Sequence, residues 1–274
     1  MLANLERPTA QAPGLGRIFS DSGLGYFANG LIGFIFSATG PVAIILAVGT
    51  RGGLSQAELA SWVFGVFFVN GLITIAMSWR YRMPLGFAWT IPGTVLVGPA
   101  LQHLSFAEVI GAFYATSLLI LIMGASGWVK RFMQALPMPI VMGMVAGVFL
   151  RFGLDLVRAL HEDVAIAAPM VVVFLLLSAY PAVGKRIPPV IGALLVGALA
   201  IALLGRVDTG TLGQFTFAQP LLQAPVWSAA ALFELVVPLA ITVLVVQNGQ
   251  GVAVLKTAGH EAPVNTIAVV SGIG

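Results

Sequence analysis

Long apolar runs alternate with short polar connections along the chain after about residue 24. Each run is about 20 residues long, which is the length a helix needs to cross the hydrocarbon core of a bilayer. The pattern predicts membrane segments at about 25–48, 60–78, 84–102, 107–127, 137–156, 164–182, 188–204 and 230–255, and a further run begins near Val264 and stops at Gly274. We therefore expect an all-α integral membrane protein.

The third predicted segment, PLGFAWTIPGTVLVGPAL, is unusual because it contains three prolines and three glycines. Proline inside a helix removes a backbone hydrogen bond, and non-helical backbone at membrane depth survives only against protein or a water-filled cavity. Since proline suits the first helical position, the pattern predicts an extended stretch to about Ile91 and a half-helix that starts at Pro92.

Such a half-helix presents its N-terminus to the membrane interior. The N–H groups of Gly93 and Thr94 would be free there, with Thr90 beside them, and would attract an anion. An ordinary helix kinked by its prolines is the alternative.

Three side-chain amides interrupt the eighth predicted segment, in the stretch VVQNGQGVAVL. They are Gln247, Asn248 and Gln250, and four apolar residues follow before the first charge, Lys256. Unpaired polar groups are costly in hydrocarbon, so we expect these amides to face a substrate cavity. The alternative is that QNGQG caps the helix at the membrane surface.

The first predicted segment carries small and polar residues at mid-membrane, in the stretch FSATGPVAIIL. Its Ser37 and Thr39 either serve close helix packing or contribute to the same binding site. The conjunction with the broken third segment and the amide-rich eighth segment favours the site.

Composition supports a membrane protein, since 59% of the residues are hydrophobic and 8% are charged, against about 25% charged in soluble domains. The net charge of +3 does not indicate nucleic-acid binding, because the basic residues come in pairs between apolar runs. Nine of them fall on one side of the segments and three on the other, which places the N-terminus and a tail over residues 1–24 in the cytoplasm. Without cysteine there is no thiolate metal site, and we expect neither a metal nor a cofactor.

A weak internal repeat links the first and eighth segments. PVAIILAVG (41–49) and GVAVLKTAG (251–259) align without gaps and share three residues. Seven segments from an inside start end outside, so a repeat that begins at the eighth segment is inverted, as in secondary transporters.

The stretches FSATGPVAII, PLGFAWTIPGTVLVGPAL, PMPIVMGMVAGVFLRFG and VVQNGQGVAVL resemble the benzoate–proton symporter family (BenE) over residues 20–274. That family is similar to nucleobase permeases and to sulfate or bicarbonate transporters. The resemblance implies fourteen segments in two inverted repeats of seven, with a core domain that carries the substrate and a gate domain. It divides the chain into core segments 1–4 (25–135), gate segments 5–7 (136–205) and the start of the second repeat (206–274). Because the chain stops inside the ninth segment, we expect a fragment or a truncated product.

The resemblance also implies a function. A secondary active transporter would take up benzoate or a related aromatic carboxylate with protons, by alternating access across the bacterial inner membrane. Dimers through the gate domain are common in this group, so a homodimer is an expected assembly. A nucleobase or inorganic-anion carrier on the same fold is the first alternative, and a channel is the second. Related nucleobase permeases hold the base with a glutamate where this chain has amides. No HExxH, GxSxG or GxxxxGK[ST] motif indicates an enzyme or an ATP-driven pump.

The membrane segments contain no lysine and a single arginine, Arg151, whose spacing from Asp155 favours an ion pair within one helix. The carboxylate is therefore expected at the half-helix N-terminus, with added hydrogen bonds from the amides. The predicted substrate site comprises Ser37, Thr39, Thr90, Gly93, Thr94, Gln247, Asn248 and Gln250, with Phe34, Phe36 and Trp89 as candidate ring contacts.

Proton coupling has one acidic candidate. Glu234 lies in the first turns of the eighth segment, and an intramembrane acid is a functional hypothesis by default. A purely interfacial role near the outer surface is the alternative. The histidines at positions 103, 161 and 260 lie in loops or at segment edges, so no histidine relay is indicated.

Overall fold

The computed structural model describes residues 4–14, 16–17, 20, 22–135, 138–180, 187–207 and 219–274. Regular structure in these ranges is helical, and they contain no strand. The helices are α1 Leu24–Arg51, α2 Gln56–Tyr81, α3 Ile91–Ala100, α4 Phe106–Ser126, α5 Trp128–Ala135, α6 Met138–Glu162, α7 Val164–Ala179, α8 Pro189–Leu203, α9 Ala229–Thr257 and α10 Val264–Ile273.

Among the described residues, α2, α4 and α9 are long and apolar enough to cross a membrane. The all-helical prediction and the predicted segments at 60–78, 107–127 and 230–255 are thereby confirmed. Shorter apolar helices, including α3, α7, α8 and α10, occupy other predicted segments. The arrangement as two inverted repeats of seven stays a prediction.

Two of the long helices begin at capping boxes that the sequence encodes as Ser-x-x-Glu. Ser55 and Glu58 cap α2, and Ser105 and Glu108 cap α4; in each pair the glutamate side chain accepts the serine N–H at 2.8 Å. Both reciprocal bonds satisfy N–H groups that a helix start otherwise leaves unpaired. α4 ends at Gly127, whose φ of 81° lies in the left-handed region that favours glycine.

The chain divides into two compact units. The first comprises Met1–Gly14, Gly40–Val145 and Ala218–Gly274, and the second comprises Leu15–Thr39 and Ala146–Phe217. In the second unit α7 and α8 pack against each other. The predicted core and gate domains and their boundaries stay predictions.

α4 lies at the centre of the first unit, where it packs against both α9 and α10, while α3 packs on α9. One buried cluster joins α3, the start of α4 and the start of α9, through residues such as Val97, Val109 and Leu235. A second cluster joins the end of α4 to α9 and α10, through Ile120, Leu244 and Ala268. These contacts hold α3 and α9 side by side, which positions the candidate site.

The N-terminal segment, expected as a tail, is bound along the first unit over residues 4–13, which we call the N-terminal strap. The Glu6 carboxylate accepts the backbone N–H groups of Asn265 and Thr266 at 3.3 and 3.0 Å, at the start of α10. The Asn4 side chain donates to the last carbonyls of α4, including that of Ser126 at 3.1 Å. The strap therefore supplies a carboxylate to a helix N-terminus and an amide to a helix C-terminus, as each end requires.

The last turns of α2 also hold the strap. The Tyr81 hydroxyl donates to the Glu6 carbonyl at 2.7 Å, and the Trp79 indole N–H donates to the Pro13 carbonyl at 2.8 Å. The strap thus contacts α2, α4 and α10 at one end of the first unit.

At the other end, an irregular segment of residues 219–228 leads into α9. Its Leu221 N–H donates to the Ser61 hydroxyl at 2.7 Å, and its Val226 N–H donates to the Ala107 carbonyl at 2.9 Å. These bonds tie the segment to α2 and α4.

Candidate functional site

An extended segment (residues 84–90) runs beside α2 and supplies one wall of the site. The Thr74 hydroxyl accepts the Phe87 N–H at 2.8 Å and donates to the Phe87 carbonyl at 3.3 Å. The Ser78 hydroxyl makes the same pair of bonds to Leu85, at 3.1 and 3.0 Å. Thr74 and Ser78 are four residues apart on a helix, which is a rise of about 6.0 Å, and Phe87 and Leu85 are two residues apart on an extended chain, which is about 6.6 Å. The spacing of the two hydroxyl groups therefore matches the spacing of the two backbone positions that they bind. The side chains of α2 thereby satisfy backbone groups that would otherwise be unpaired.

The half-helix α3 begins where the extended segment ends. It starts at Ile91, has Pro92 in its first turn and is capped by Thr90, so the extended stretch followed by a half-helix is confirmed and the kinked continuous helix is wrong. The expectation of free N–H groups is also wrong. Gly93 N–H donates to the Thr90 hydroxyl at 3.3 Å and Thr94 N–H donates to the Thr90 carbonyl at 2.9 Å, because threonine is itself an N-cap residue.

Gly93 lies in the first turn of α3, against its cap residue Thr90 and against α9. A Cβ atom there would clash with the Thr90 methyl group and would lie 3.2 Å from Leu239 Cδ2 and 3.4 Å from Thr242 Oγ1. Glycine therefore suits this position because the Thr90 cap and, less closely, α9 leave little room for a Cβ atom.

The amide cluster lies inside α9. A π-helical turn, Thr242–Gln247, ends at the first of the amides, and the helix continues to Thr257, so the interpretation of QNGQG as a helix cap is wrong. Such turns are rare in proteins and are frequently found at functional sites. Gln247 Nε2 donates to the Ala88 carbonyl at 2.6 Å and so joins α9 to the extended segment.

These elements line a partly open cavity of about 450 Å³ within the first unit. This volume falls within the roughly 300–1,000 Å³ typical of small-molecule sites. Its aromatic walls are Trp62, Phe87, Trp89, Phe106 and Phe113, and its polar lining includes Asn70, Thr90, Thr94, Gln247 and Asn248. No lysine, arginine, histidine or acidic side chain of the described residues lines it.

Three polar atoms of this lining are buried and have no hydrogen-bond partner within the protein. They are the indole nitrogen of Trp89, Oε1 of Gln247 and Nδ2 of Asn248. Leaving such a group unpaired costs about 1–3 kcal/mol, so each is expected to meet a polar group of a bound molecule or water. The cavity thus combines aromatic walls with one unpaired acceptor and two unpaired donors.

Comparison with known proteins identifies the family. A family model described as benzoate membrane transport protein (BenE) matches residues 20–274. The chain belongs to this family. It is 32% identical over 243 residues to the inner membrane protein YdcO of Escherichia coli, and 27% identical over 241 residues to a benzoate membrane transport protein of Acinetobacter baylyi. These alignments cover 89% and 87% of this chain. No solved structure matches the chain.

The resemblance to BenE proteins drawn from the motifs is therefore confirmed. The chain is an integral membrane protein of a membrane transport family. It spans about three fifths of the length of the curated relatives it matches, 60% of one and 59% of the other.

In this BenE-family protein, five of the predicted site residues line the cavity: Thr90, Gly93, Thr94, Gln247 and Asn248. Gln250 lies three residues further along α9 and is not part of the lining. Ser37 and Thr39 belong to the second unit, and the side chain of Thr39 lies outside the described residues. Their roles in binding stay predictions.

Of the candidate ring contacts, one lines the cavity and two do not contribute to it among the described side chains. Trp89 lines the cavity, with its ring centroid 6.1 Å from that of Phe67. Phe34 belongs to the second unit, and the side chain of Phe36 lies outside the described residues.

Glu234 has a partner that sequence reasoning missed. His103 Nε2 lies 2.9 Å from Glu234 Oε2, which joins the loop after α3 to the first turns of α9. Both side chains are partly exposed, and neither lines the cavity. Proton coupling through Glu234 stays a prediction. The Arg151 side chain lies outside the described residues, and Asp155 accepts a hydrogen bond from Arg158 at 3.2 Å.

Sequence reasoning also missed the faces that α2 and α4 turn to the cavity. On α2 the lining residues Trp62, Val66 and Asn70 recur every four positions, and on α4 Phe106 and Phe113 are seven apart. Helical spacing of this kind marks one face. Asn70 could have indicated the cavity-facing side of α2, because it is an amide inside an apolar run.

Proposed function

We propose that this BenE-family protein carries benzoate or a related aromatic carboxylate across the inner membrane together with protons, by alternating access. The observation that carries the proposal is the cavity, whose aromatic walls surround unpaired groups of Trp89, Gln247 and Asn248. The printed name of the Acinetobacter baylyi relative specifies benzoate, whereas that of the Escherichia coli relative specifies no substrate.

The aromatic ring would lie between the cavity walls and the carboxyl group at the unpaired amides. Flat apolar surfaces such as Trp89 and Phe113 favour a planar ring through area burial and through stacked or edge-to-face geometry. Gln247 and Asn248, with Thr90 and Thr94 at the half-helix start, would fix the orientation of the carboxyl group. Ser37, Thr39 and Gln250 are proposed as further contacts in another state of the transport cycle.

Alternating access would move a core domain against a gate domain, in a full-length fold of two inverted repeats. The first unit holds α3 and the amides of α9 and would act as the core, and the second unit, which holds α7 and α8, would act as the gate. The nine-to-three distribution of basic residues supports a cytoplasmic N-terminus. A homodimer through the gate is part of the proposal.

A nucleobase carrier is the second candidate. A nucleobase presents neighbouring hydrogen-bond donors and acceptors, and the unpaired Gln247 Oε1 and Asn248 Nδ2 would complement them. An inorganic anion is less well supported, because the described lining offers no positive charge to it.

The test is uptake of labelled benzoate into liposomes that contain the purified protein, under an inward proton gradient with and without an uncoupler. Protein-free liposomes set the baseline, because the neutral form of a weak aromatic acid crosses bilayers unaided. Saturable, protein-dependent uptake that an uncoupler abolishes and that unlabelled benzoate competes away would support the proposal. Competition by uracil or sulfate instead of benzoate would mean that the substrate is a nucleobase or an inorganic anion and not benzoate.

Two matched substitutions test the site. Gln247→Leu should abolish most protein-dependent uptake, since it removes both the bond to Ala88 and the unpaired oxygen. Gln56→Leu is the same change at an exposed glutamine in the first turn of α2, outside the cavity, and should leave uptake unchanged. Equal uptake by the two variants would mean that the substrate does not bind at Gln247.

A further inference from the structure

The unpaired atoms of the cavity specify what a ligand must bring. The Ala88 carbonyl can only accept, so it fixes the Gln247 amide with Nε2 towards Ala88 and leaves Oε1 as the unpaired atom. Trp89 follows Ala88 and Asn248 follows Gln247, so this hydrogen bond joins the two stretches of the cavity lining that carry the three unpaired atoms. The ligand must therefore offer a donor to Gln247 Oε1 and an acceptor to the Trp89 indole or to Asn248 Nδ2.

An ionised carboxylate cannot meet that requirement. It has acceptors only, so it would leave Gln247 Oε1 without a donor and would place two oxygens that carry negative charge near each other. A protonated carboxyl group has both a carbonyl acceptor and an O–H donor and matches the unpaired set. The same reasoning holds for a primary amide.

The electrostatics of the cavity point the same way. Charged groups on the elements around the cavity lie near the ends of those elements and not in the described lining: Glu58 and Arg80 on α2, Arg82 before the extended segment, His103 after α3, Glu108 on α4, and Glu234 and Lys256 on α9. The tyrosines of these elements, Tyr81 at the end of α2 and Tyr114 in the middle of α4, do not line the cavity either. The 219–228 segment and α10 carry no acidic or basic side chain. Thr90 already accepts the N–H groups of Gly93 and Thr94. A buried anion would thus have no counter-ion, and an unpaired buried charge is strongly unfavourable.

Resting on the proposed function, we infer that the site takes the aromatic acid in its protonated, neutral form, so that the coupled proton travels on the substrate itself. The carboxylate takes up one proton from solution as it enters, the O–H group donates to Gln247 Oε1, and the carbonyl oxygen accepts from the Trp89 indole or from Asn248 Nδ2. The acid ionises again on release and leaves the same proton on the other side. No acidic side chain of the protein is needed for this coupling.

The inference fixes a pH dependence. A carboxyl group with a pKa near that of glutamate, about 4.3, is protonated in only about one molecule in 500 at pH 7. That fraction corresponds to about 3.7 kcal/mol of apparent binding free energy, at 1.36 kcal/mol per pH unit. The apparent dissociation constant for benzoate should therefore rise about tenfold per pH unit above pH 5.5, since each unit lowers the protonated fraction about tenfold.

The test compares radiolabelled benzoate with radiolabelled benzamide, in equilibrium binding to the protein in lipid nanodiscs at pH 5.5, 6.5 and 7.5. Benzamide has a donor and an acceptor at the same positions and does not titrate in this range. We expect the dissociation constant of benzoate to rise about a hundredfold over these two pH units and that of benzamide to stay constant. Methyl benzoate lacks the donor and should compete at least tenfold less well than benzamide.

Three results would overturn the inference. A constant benzoate affinity without benzamide binding would mean that the site takes the anion. Parallel changes for benzoate and benzamide would mean that a group of the protein titrates. Methyl benzoate competing as well as benzamide would remove the role of Gln247 Oε1. In each of these cases an aromatic ligand still binds and the proposed function survives. Binding of uracil or sulfate, with no aromatic ligand bound at any pH, would overturn the inference and the proposed function together.

Discussion

Thr74 offers the sharpest test of how the extended segment is held. Its hydroxyl bonds both the N–H and the carbonyl of Phe87, at 2.8 and 3.3 Å, in the stretch that leads to Trp89. Replacing Thr74 by valine keeps the shape of the side chain and removes the hydroxyl. Two backbone groups then lose their partner in a segment that has no helical bonds of its own.

The magnitude follows from those two groups. A buried backbone group left unpaired costs about 1–3 kcal/mol, so the lower ends of the two ranges add to about 2 kcal/mol. An ordinary hydrogen bond between helices in a membrane averages only about 0.6 kcal/mol and rarely exceeds about 1.7 kcal/mol. Thr74→Val should therefore destabilise the protein by more than a typical membrane hydrogen bond does. For a domain of this size the melting temperature should fall by about 4–8 °C.

The assay is thermal unfolding in detergent, followed by intrinsic tryptophan fluorescence. Thr74→Ser keeps the hydroxyl and should lose no more than about 0.8 kcal/mol, for one methyl group. Thr242→Val is the matched control, because that buried hydroxyl donates only to the Leu239 carbonyl of its own helix. If Thr74→Val is no more harmful than Thr74→Ser or Thr242→Val, the hydroxyl does not hold the extended segment and the reasoning fails.

Three further changes test other contacts. Glu6→Gln weakens the charged cap on the α10 N-terminus and should cost about 1 kcal/mol, with earlier cleavage of the strap in limited proteolysis; unchanged cleavage would argue against the cap. Gly93→Ala forces a methyl group against Thr90 and should destabilise by about 1–3 kcal/mol in thermal unfolding, whereas an unchanged melting temperature would mean that α3 moves freely away from α9. Glu234→Gln breaks the partly exposed pair with His103, so it should change stability by less than about 1 kcal/mol and leave the pH dependence of benzoate binding intact; loss of that dependence would return proton coupling to Glu234.

The broken third segment could be predicted from the sequence because its signals are local. Proline and glycine restrict the backbone wherever they occur, so the extended stretch and the start of α3 near Pro92 follow from the residues themselves. The state of the N–H groups of Gly93 and Thr94 did not follow. It depends on the rotamer and backbone of Thr90, which caps the helix and also lines the cavity.

The position of the amides was predictable, and their local geometry was not. Gln247 and Asn248 stand out in an apolar run, so a polar cavity was the expected partner. The π-helical turn Thr242–Gln247 has no sequence signature, because it adds one residue to a turn without changing composition. Gln250 was grouped with its neighbours by adjacency, yet the direction of a helical side chain changes with every residue.

Contacts between distant parts of the chain were missed for a different reason. The N-terminal segment was expected as a tail because residues 1–24 contain Glu6, Arg7, Arg17 and Asp21 and lack a continuous apolar run. What holds it are single side chains such as Glu6 and Asn4, whose partners in α10 and α4 cannot be inferred from spacing. Lys130 and Arg131 were expected only as a basic pair between apolar runs, and they lie in the short helix α5, Trp128–Ala135.

The N-terminal strap has a consequence for synthesis of the protein. Glu6 is made before Thr266, whose N–H it accepts and which follows 260 positions later. At about 5–20 residues per second, Glu6 waits roughly 13 to 52 s for that partner. Tyr81 is made much sooner and can receive the strap first, so the strap docks in two stages. The second stage cannot occur until α10 has been made, and the carboxylate of Glu6 therefore closes the first unit only after Thr266 has been added to the chain.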